Sequence, residues 1–297
     1  MVNDLTLSVV ITTYNRPELV VRAVNSVVSQ RSQKYRIEII VVDDASTSLL
    51  PEFNVPELIT YRMPINGGPG LARMQGLKLS HAPWVLILDD DDVMTSGSVE
   101  KLMHILDDEN LDSYLVTMFA CSNGSMRDKY HLISFDDYMS GYIIGDFTPV
   151  FNREKFLATG LSYPQTRLGG EHLLWWRIAL DYKGIPTFNM KLIDVSNDAP
   201  SRLTSATTQV KYSAEHKILA DLTLSQFGER ISKDYPEQFR RISLARITYS
   251  LLSNDKASAR RYILTSTISL SMKISLLVIS LCPQSIIRKA FVFYRGR

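Results

Sequence analysis

Apolar positions follow two rhythms in the first third of the chain. Unbroken, β-branched runs at 7–13 (LSVVITT), 37–42 (IEIIVV) and 84–88 (WVLIL) have the pattern of strands covered on both faces. A shorter strand is predicted at 58–62. Between the first two runs, Leu19, Val20, Ala23, Val24, Val27 and Val28 recur on one helical face. Pro17 opens that helix, since its missing N–H would be unpaired in the first turn anyway. A second helix is predicted at 71–79, after the loop Asn66-Gly-Gly-Pro-Gly70. Strand and helix in alternation imply right-handed crossovers and a parallel sheet. From 111 to about 194 the pattern reads as mixed strands and short helices. Its clearest helix is 171–183, ended by Gly184. Beyond about 206 strand signals cease. Helices are predicted near 206–227, 234–253 and 256–281, then, after a break at Pro283, at 284–294. The expected division is a domain at 1–205 and a helical extension at 206–297, without internal repeats.

Composition narrows the class. The chain has 297 residues, 45% hydrophobic and 22% charged, close to an average globular protein. That excludes a disordered chain, a collagen and a multi-pass membrane protein. Two distant cysteines, Cys121 and Cys282, exclude a disulfide framework or a zinc cluster. The five histidines form no HExxH or HxH pair. The N-terminus lacks a basic leader and runs straight into a strand, so a cytoplasmic, reducing setting is expected.

The net charge of +2 conceals a split. Eight of the 33 Lys and Arg lie at 256–297, where there is no Asp or Glu. Residues 1–255 therefore hold 25 basic and 31 acidic side chains. Such a split implies that the tail meets an anionic surface.

The candidate chemistry sits at strand ends. Asp89-Asp-Asp-Asp92 follows the 84–88 strand, and Asp43-Asp44 closes the 37–42 strand. Open α/β sheets bind ligands at the carboxyl edge, so Thr12, Asp44 and Asp89–Asp92 are expected around one crevice. Adjacent carboxylates repel by roughly 1 kcal/mol per pair even in water. A hard divalent cation, Mg2+ or Mn2+, would relieve that repulsion, while an acidic helix cap is the plainer reading. Asp44 fits either a capped turn or a carboxylate that accepts from a nucleobase N–H. The glycine loop fits either a plain turn or a passage for a ligand close to the backbone. It matches neither GxGxxG nor the Walker A pattern.

Together these segments resemble one family. SVVITTYNRPELVVRAVNSVVSQ (8–30), VVDDAS (41–46), NGGPGLARMQGL (66–77) and VLILDDDD (85–92) look like the nucleotide-binding half of family 2 glycosyltransferases. That family has the GT-A fold, a Rossmann-like mixed sheet flanked by helices. The resemblance implies a nucleotide-binding half at 1–110 and an acceptor half at 111–205. It places Thr12 and Tyr14 in a uridine pocket, Asp44 on the uracil and Ala72-Arg73-Met74 beside the nucleotide. Met74 stands where the family usually has Asn. The DxD motif maps to Asp89-Asp90-Asp91, with Asp89 or Asp90 facing the ribose and Asp91, helped by Asp89, ligating Mn2+ or Mg2+. Gly169-Gly-Glu-His-Leu-Leu-Trp-Trp-Arg177 is similar to the family's GED-type segment. Glu171 takes the position of the Asp that acts as catalytic base, and His172 is its rival if the alignment slips by one. At least two of Leu174, Trp175 and Trp176 read as core residues. Arg202 stands where a basic residue often meets the diphosphate. The implied reaction is one inverting displacement from a UDP-sugar, giving a β-linkage.

The tail suggests the acceptor. Residues 262–281 are apolar but interrupted by Ser, Thr and Lys273, short of the ~20 apolar residues a membrane span needs. Residues 285–294 mix Ile286, Ile287, Phe291 and Phe293 with Arg288 and Lys289, as in an interfacial helix. A basic helical cap packed on the acidic body is the alternative, and nucleic acid is disfavoured. A GT-A body with such a tail is similar to bacterial enzymes that extend polyprenyl-diphosphate-linked saccharides for O-antigen or capsule. The implied place is peripheral, on the cytoplasmic leaflet of the inner membrane. Against a nucleotidyltransferase stands the absence of a basic glycine loop near the N-terminus. Against a dinucleotide oxidoreductase stands the absence of GxGxxG. A non-catalytic nucleotide-sugar-binding scaffold remains the alternative, because Glu replaces Asp at 171.

Overall fold

The first strand, β1 (Leu7–Thr13), is buried along its whole length, and so is β2 (Ile37–Asp43). A computed structural model of the chain describes residues 5–32, 34–107, 111–196 and 205–295. After β1 comes α1 (Pro17–Val28); after β2 come β3 (Leu58–Arg62), α2 (Pro69–Leu79), β4 (Trp84–Asp89), β5 (Val93–Met94) and α3 (Ser98–Leu106). Then follow β6 (Val116–Cys121), β7 (Ser125–Met126), β8 (Tyr130–Ile133), α4 (Phe135–Ser140), β9 (Ile143–Ile144) and β10 (Phe147–Asn152). The series ends with α5 (Arg153–Ala158), α6 (Glu171–Asp181) and β11 (Ile185–Asp194).

Nine strands form one sheet in the order β3-β2-β1-β4-β10-β6-β11-β5, with β8 pairing on β11. The first four are parallel, as the strand–helix alternation predicts. The sheet as a whole is mixed: β10 enters antiparallel between β4 and β6, because the regular crossover repeat ends after β4. In register, Thr12 lies between Val42 and Asp89, so three strand ends open on one edge.

Both faces of the sheet are covered, which is why the central strands are continuous apolar runs rather than alternating ones. On one face Val9, Ile11 and Leu86 pack with Val20, Val24 and Val27 of α1 and Leu102 of α3. On the other, Val10, Val42 and Val85 meet Ala72 and Leu77 of α2 and Leu174 and Ile178 of α6. Leu174 is thus core, Trp175 packs against the same cluster, and Trp176 sets its ring edge-on to Phe135. One buried polar knot lies at the amino end. Glu38 accepts from the Ser8 hydroxyl and from the backbone N–H of His81 and Ala82.

Contacts divide the chain into two units, Met1–Ala199 and Pro200–Arg297. The second contains α7 (Ala206–Lys211), α8 (Ser213–Asp234), α9 (Pro236–Leu252), α10 (Lys256–Thr265), α11 (Leu270–Leu281) and α12 (Gln284–Arg295). Its core is Ile247, Leu251, Leu252, Ala259, Ile263, Ile268 and Ile287. The single helix expected at 256–281 is two helices. Ser266 is extended, and Ser269 caps α11 by accepting from the Met272 N–H at 3.4 Å. Among the described residues, no helix is long and apolar enough to cross a membrane.

Candidate functional site

The acidic run begins on the last residue of β4 and turns immediately, so its four side chains part. Asp90 points inward. It accepts from the Thr13 hydroxyl at 2.7 Å and from Arg16 at 2.9 Å. Burial raises its pKa to about 6 against those two partners. Of the two residues expected at the ribose, Asp89 and Asp90, Asp90 is the buried one. Asp89, Asp91 and Asp92 point together, and one carboxylate oxygen from each lies within 4.8 Å of the others. Asp92 is the member that the DxD pattern misses. It accepts the Ser196 N–H at 3.0 Å. Burial lifts its pKa to about 7, opposed by that hydrogen bond and reinforced by the charges of Asp89 and Asp91. Three hard oxygen donors that repel one another fit Mg2+ or Mn2+. Arg22 fixes the turn by donating to the Asp91 carbonyl at 2.6 Å.

Asp43 and Asp44 divide two tasks. Asp43 closes the turn after β2 by accepting from the Ser46 N–H at 2.9 Å. Asp44, buried, accepts from the N–H groups of Gly67 and Gly68, each at 2.8 Å. Burial raises its pKa even against these bonds. A carboxylate has about four lone-pair positions, so two remain for a further donor. The glycine loop therefore serves the protein's own packing. Gly68 has φ +87°, and a Cβ there would meet the Thr166 carbonyl at 2.5 Å. Thr12 is buried at the end of β1, and Tyr14 just beyond it is exposed.

Arg73 joins the two halves of the site. It rises from α2 with its side chain only 9% exposed. One Nη donates to Asp89 at 2.6 Å and the other to Oε1 of Glu171. The charges of both carboxylates hold its pKa well above the ordinary arginine value against the cost of burial. Its Nε is buried without a hydrogen-bond partner. Arg73 spans the acidic cluster and the candidate base. Met74, one residue on, is core.

Glu171 is the first residue of α6, entered through Gly170 at φ 70°. A carboxylate suits that helix end electrostatically, and its side chain is 43% exposed. His172 turns elsewhere: its ring lies 5.0 Å from that of Trp176, edge-on, and burial lowers its pKa to about 4. Glu171 is tied to Asp89 through Arg73. Arg202 lies outside the described residues.

A mixed sheet with an acidic triad at the carboxyl edge and a half-exposed carboxylate facing it defines the GT-A class of fold. The sequence matches the description "Glycosyl transferase family 2" over residues 8–162. The chain belongs to that family. The succinoglycan biosynthesis protein ExoO of Rhizobium meliloti is 25% identical over 186 residues, covering 56% of this chain and 53% of that protein. The poly(ribitol-phosphate) β-N-acetylglucosaminyltransferase TarS of Staphylococcus aureus is 30% identical over 117 residues, covering 37% of this chain and 20% of TarS. The chain thus spans about half or less of these curated relatives. In three dimensions, residues 1–349 of S. aureus TarS superpose with a TM-score of 0.54 at 13% identity. That match covers 99% of this chain and 92% of the TarS structure. A TarS structure in complex with UDP-GlcNAc gives 0.52 at 14% identity, over 93% and 80% of the two chains.

Proposed function

We infer that this protein transfers a hexose or N-acetylhexosamine from a UDP-sugar to a saccharide carried on a polyprenyl diphosphate, in the assembly of O-antigen or capsule. The observation that carries this reading is the joining of Asp89 and Glu171 through the one guanidinium of Arg73. A group that holds donor phosphates and a group that removes an acceptor proton must lie on opposite sides of one reacting carbon. The uridine assignment is supported by Asp44, which keeps acceptor capacity at the crevice, and by the UDP-GlcNAc bound to TarS.

The mechanism is a single displacement. Asp89, Asp91 and Asp92 would hold a divalent cation, which supplies positive charge to a departing diphosphate. Thr12 and Asp44 fix the nucleoside. Oε1 of Glu171 is engaged by Arg73, and Oε2 is left to accept the acceptor hydroxyl's proton as the new C–O bond forms. Attack on the face opposite UDP inverts the anomeric carbon, so an α-linked donor gives a β-linked product. No covalent enzyme intermediate is needed.

Calorimetric titration with UDP, with and without Mn2+, is the test. Metal-dependent binding that Asp91→Ala loses supports the donor site. A folded protein that binds no UDP in either buffer overturns the uridine reading. Binding without sugar transfer would favour a nucleotide-sugar-binding scaffold.

A further inference from the structure

The second unit ends in helices whose outer faces are apolar. On α11, Leu270, Ile274, Val278 and Leu281 recur at spacings of four, four and three, which places them on one face. All four are exposed, Ile274 at 56% and Val278 at 58%. The helix is anchored on its other side by Met272 and Leu276, and at the stripe's edge by Leu277, all packed on the unit's core. Buried Ser280 accepts from Arg260 at 2.9 Å, and Lys256 donates to the Cys282 carbonyl at 2.6 Å. The stripe is therefore held rigidly outward. The sequence pointed to 285–294 as the interfacial element; there α12 turns Ile287 and Phe291 inward and ties Arg288 to the Leu252 carbonyl, while Ile286 and Phe293 stay exposed. The longer outward stripe belongs to α11.

Charge identifies the occupant. Residues 256–297 carry eight Lys or Arg and no acid, and Arg261 and Lys289 are exposed. A second copy of this face would bring like charge against like charge. A surface that is both anionic and apolar beneath matches both features at once.

We propose that α11 lies flat in the headgroup layer of an anionic bilayer, with Leu270, Ile274, Val278 and Leu281 inserted and exposed basic residues of the same unit, Arg261 and Lys289 among them, on lipid phosphates. The inference does not depend on the sugar transferred or on the identity of the nucleotide. It gives the protein a place where lipid-linked molecules are within reach.

The test is co-sedimentation of the full chain with vesicles of phosphatidylcholine alone and of phosphatidylcholine mixed with phosphatidylglycerol. Binding is expected to the mixed vesicles and to weaken as salt rises. Replacing two inserted side chains, in I274S/V278S, is expected to lower partitioning at least ~10-fold. R261E/K289E is expected to weaken binding to the mixed vesicles at least ~25-fold, since each basic residue contributes about fivefold. All four positions are surface positions, and circular dichroism and UDP titration report whether each variant is folded independently of vesicle binding. The proposal is overturned if the wild type stays in the supernatant with mixed vesicles, or if I274S/V278S sediments like the wild type. It is also overturned if ultracentrifugation shows a dimer that I274S/V278S dissolves, which would make the stripe a contact between copies.

Discussion

At the scale of single residues, the acidic run was legible because four adjacent carboxylates are unfavourable without a purpose. Which of them converge was not legible. That depends on how the chain turns after β4, which buries Asp90 on Thr13 and brings Asp92 round to Asp89 and Asp91. The bridge from Arg73 to Glu171 joins residues 98 positions apart, and no local pattern encodes such a pairing. Glu171→Gln keeps the shape of the side chain and removes its capacity as a base. UDP affinity is expected to stay within about twofold while transfer falls about 10²- to 10⁴-fold, read as UDP release from a donor sugar in the presence of acceptor. Glu38 gives a prediction of another kind. Burial alone would raise its pKa, but hydrogen bonds from Ser8, His81 and Ala82 outweigh burial and lower it. Its stabilising effect is therefore complete above the ordinary glutamate pKa and is lost as pH falls through the lower folded-state value. In thermal melts, Glu38→Gln is expected to cost about 1–2 kcal/mol at neutral pH and to flatten the acid limb expected of the wild type.

At the scale of elements, β1 to β4 and the helices between them were legible because strands covered on both faces must be apolar throughout. The antiparallel entry of β10 was not, since a short apolar run carries no direction. Nor was the break between α10 and α11, because serine and threonine are tolerated within helices and favoured at their ends, and composition does not choose. The packing of α2 on the sheet can be tested at Gly76. A Cβ there would lie 2.2 Å from Cγ1 of Val10, which is fully buried and β-branched. Alanine would gain about 1 kcal/mol of helix propensity, while overpacking a closed core costs about 1–3 kcal/mol and more at so short a distance. The clash wins, and Gly76→Ala is expected to lower the melting temperature by several degrees.

At the scale of the whole molecule, the charge split after residue 255 falls inside the second unit, not at the Ala199–Pro200 boundary that the contacts mark. The short extended step at Ser266 to Ser269 has a consequence for how the protein occupies its surroundings. A continuous apolar helix would be committed to one bilayer at synthesis. On the proposed insertion of α11, two short helices with one outward stripe enter a partition equilibrium instead. Attachment then follows mass action, rising with the area of anionic lipid on offer and falling with ionic strength. On that proposal each molecule can leave one patch and settle on another, so a small pool of protein would serve lipid-borne acceptors scattered over a wide surface.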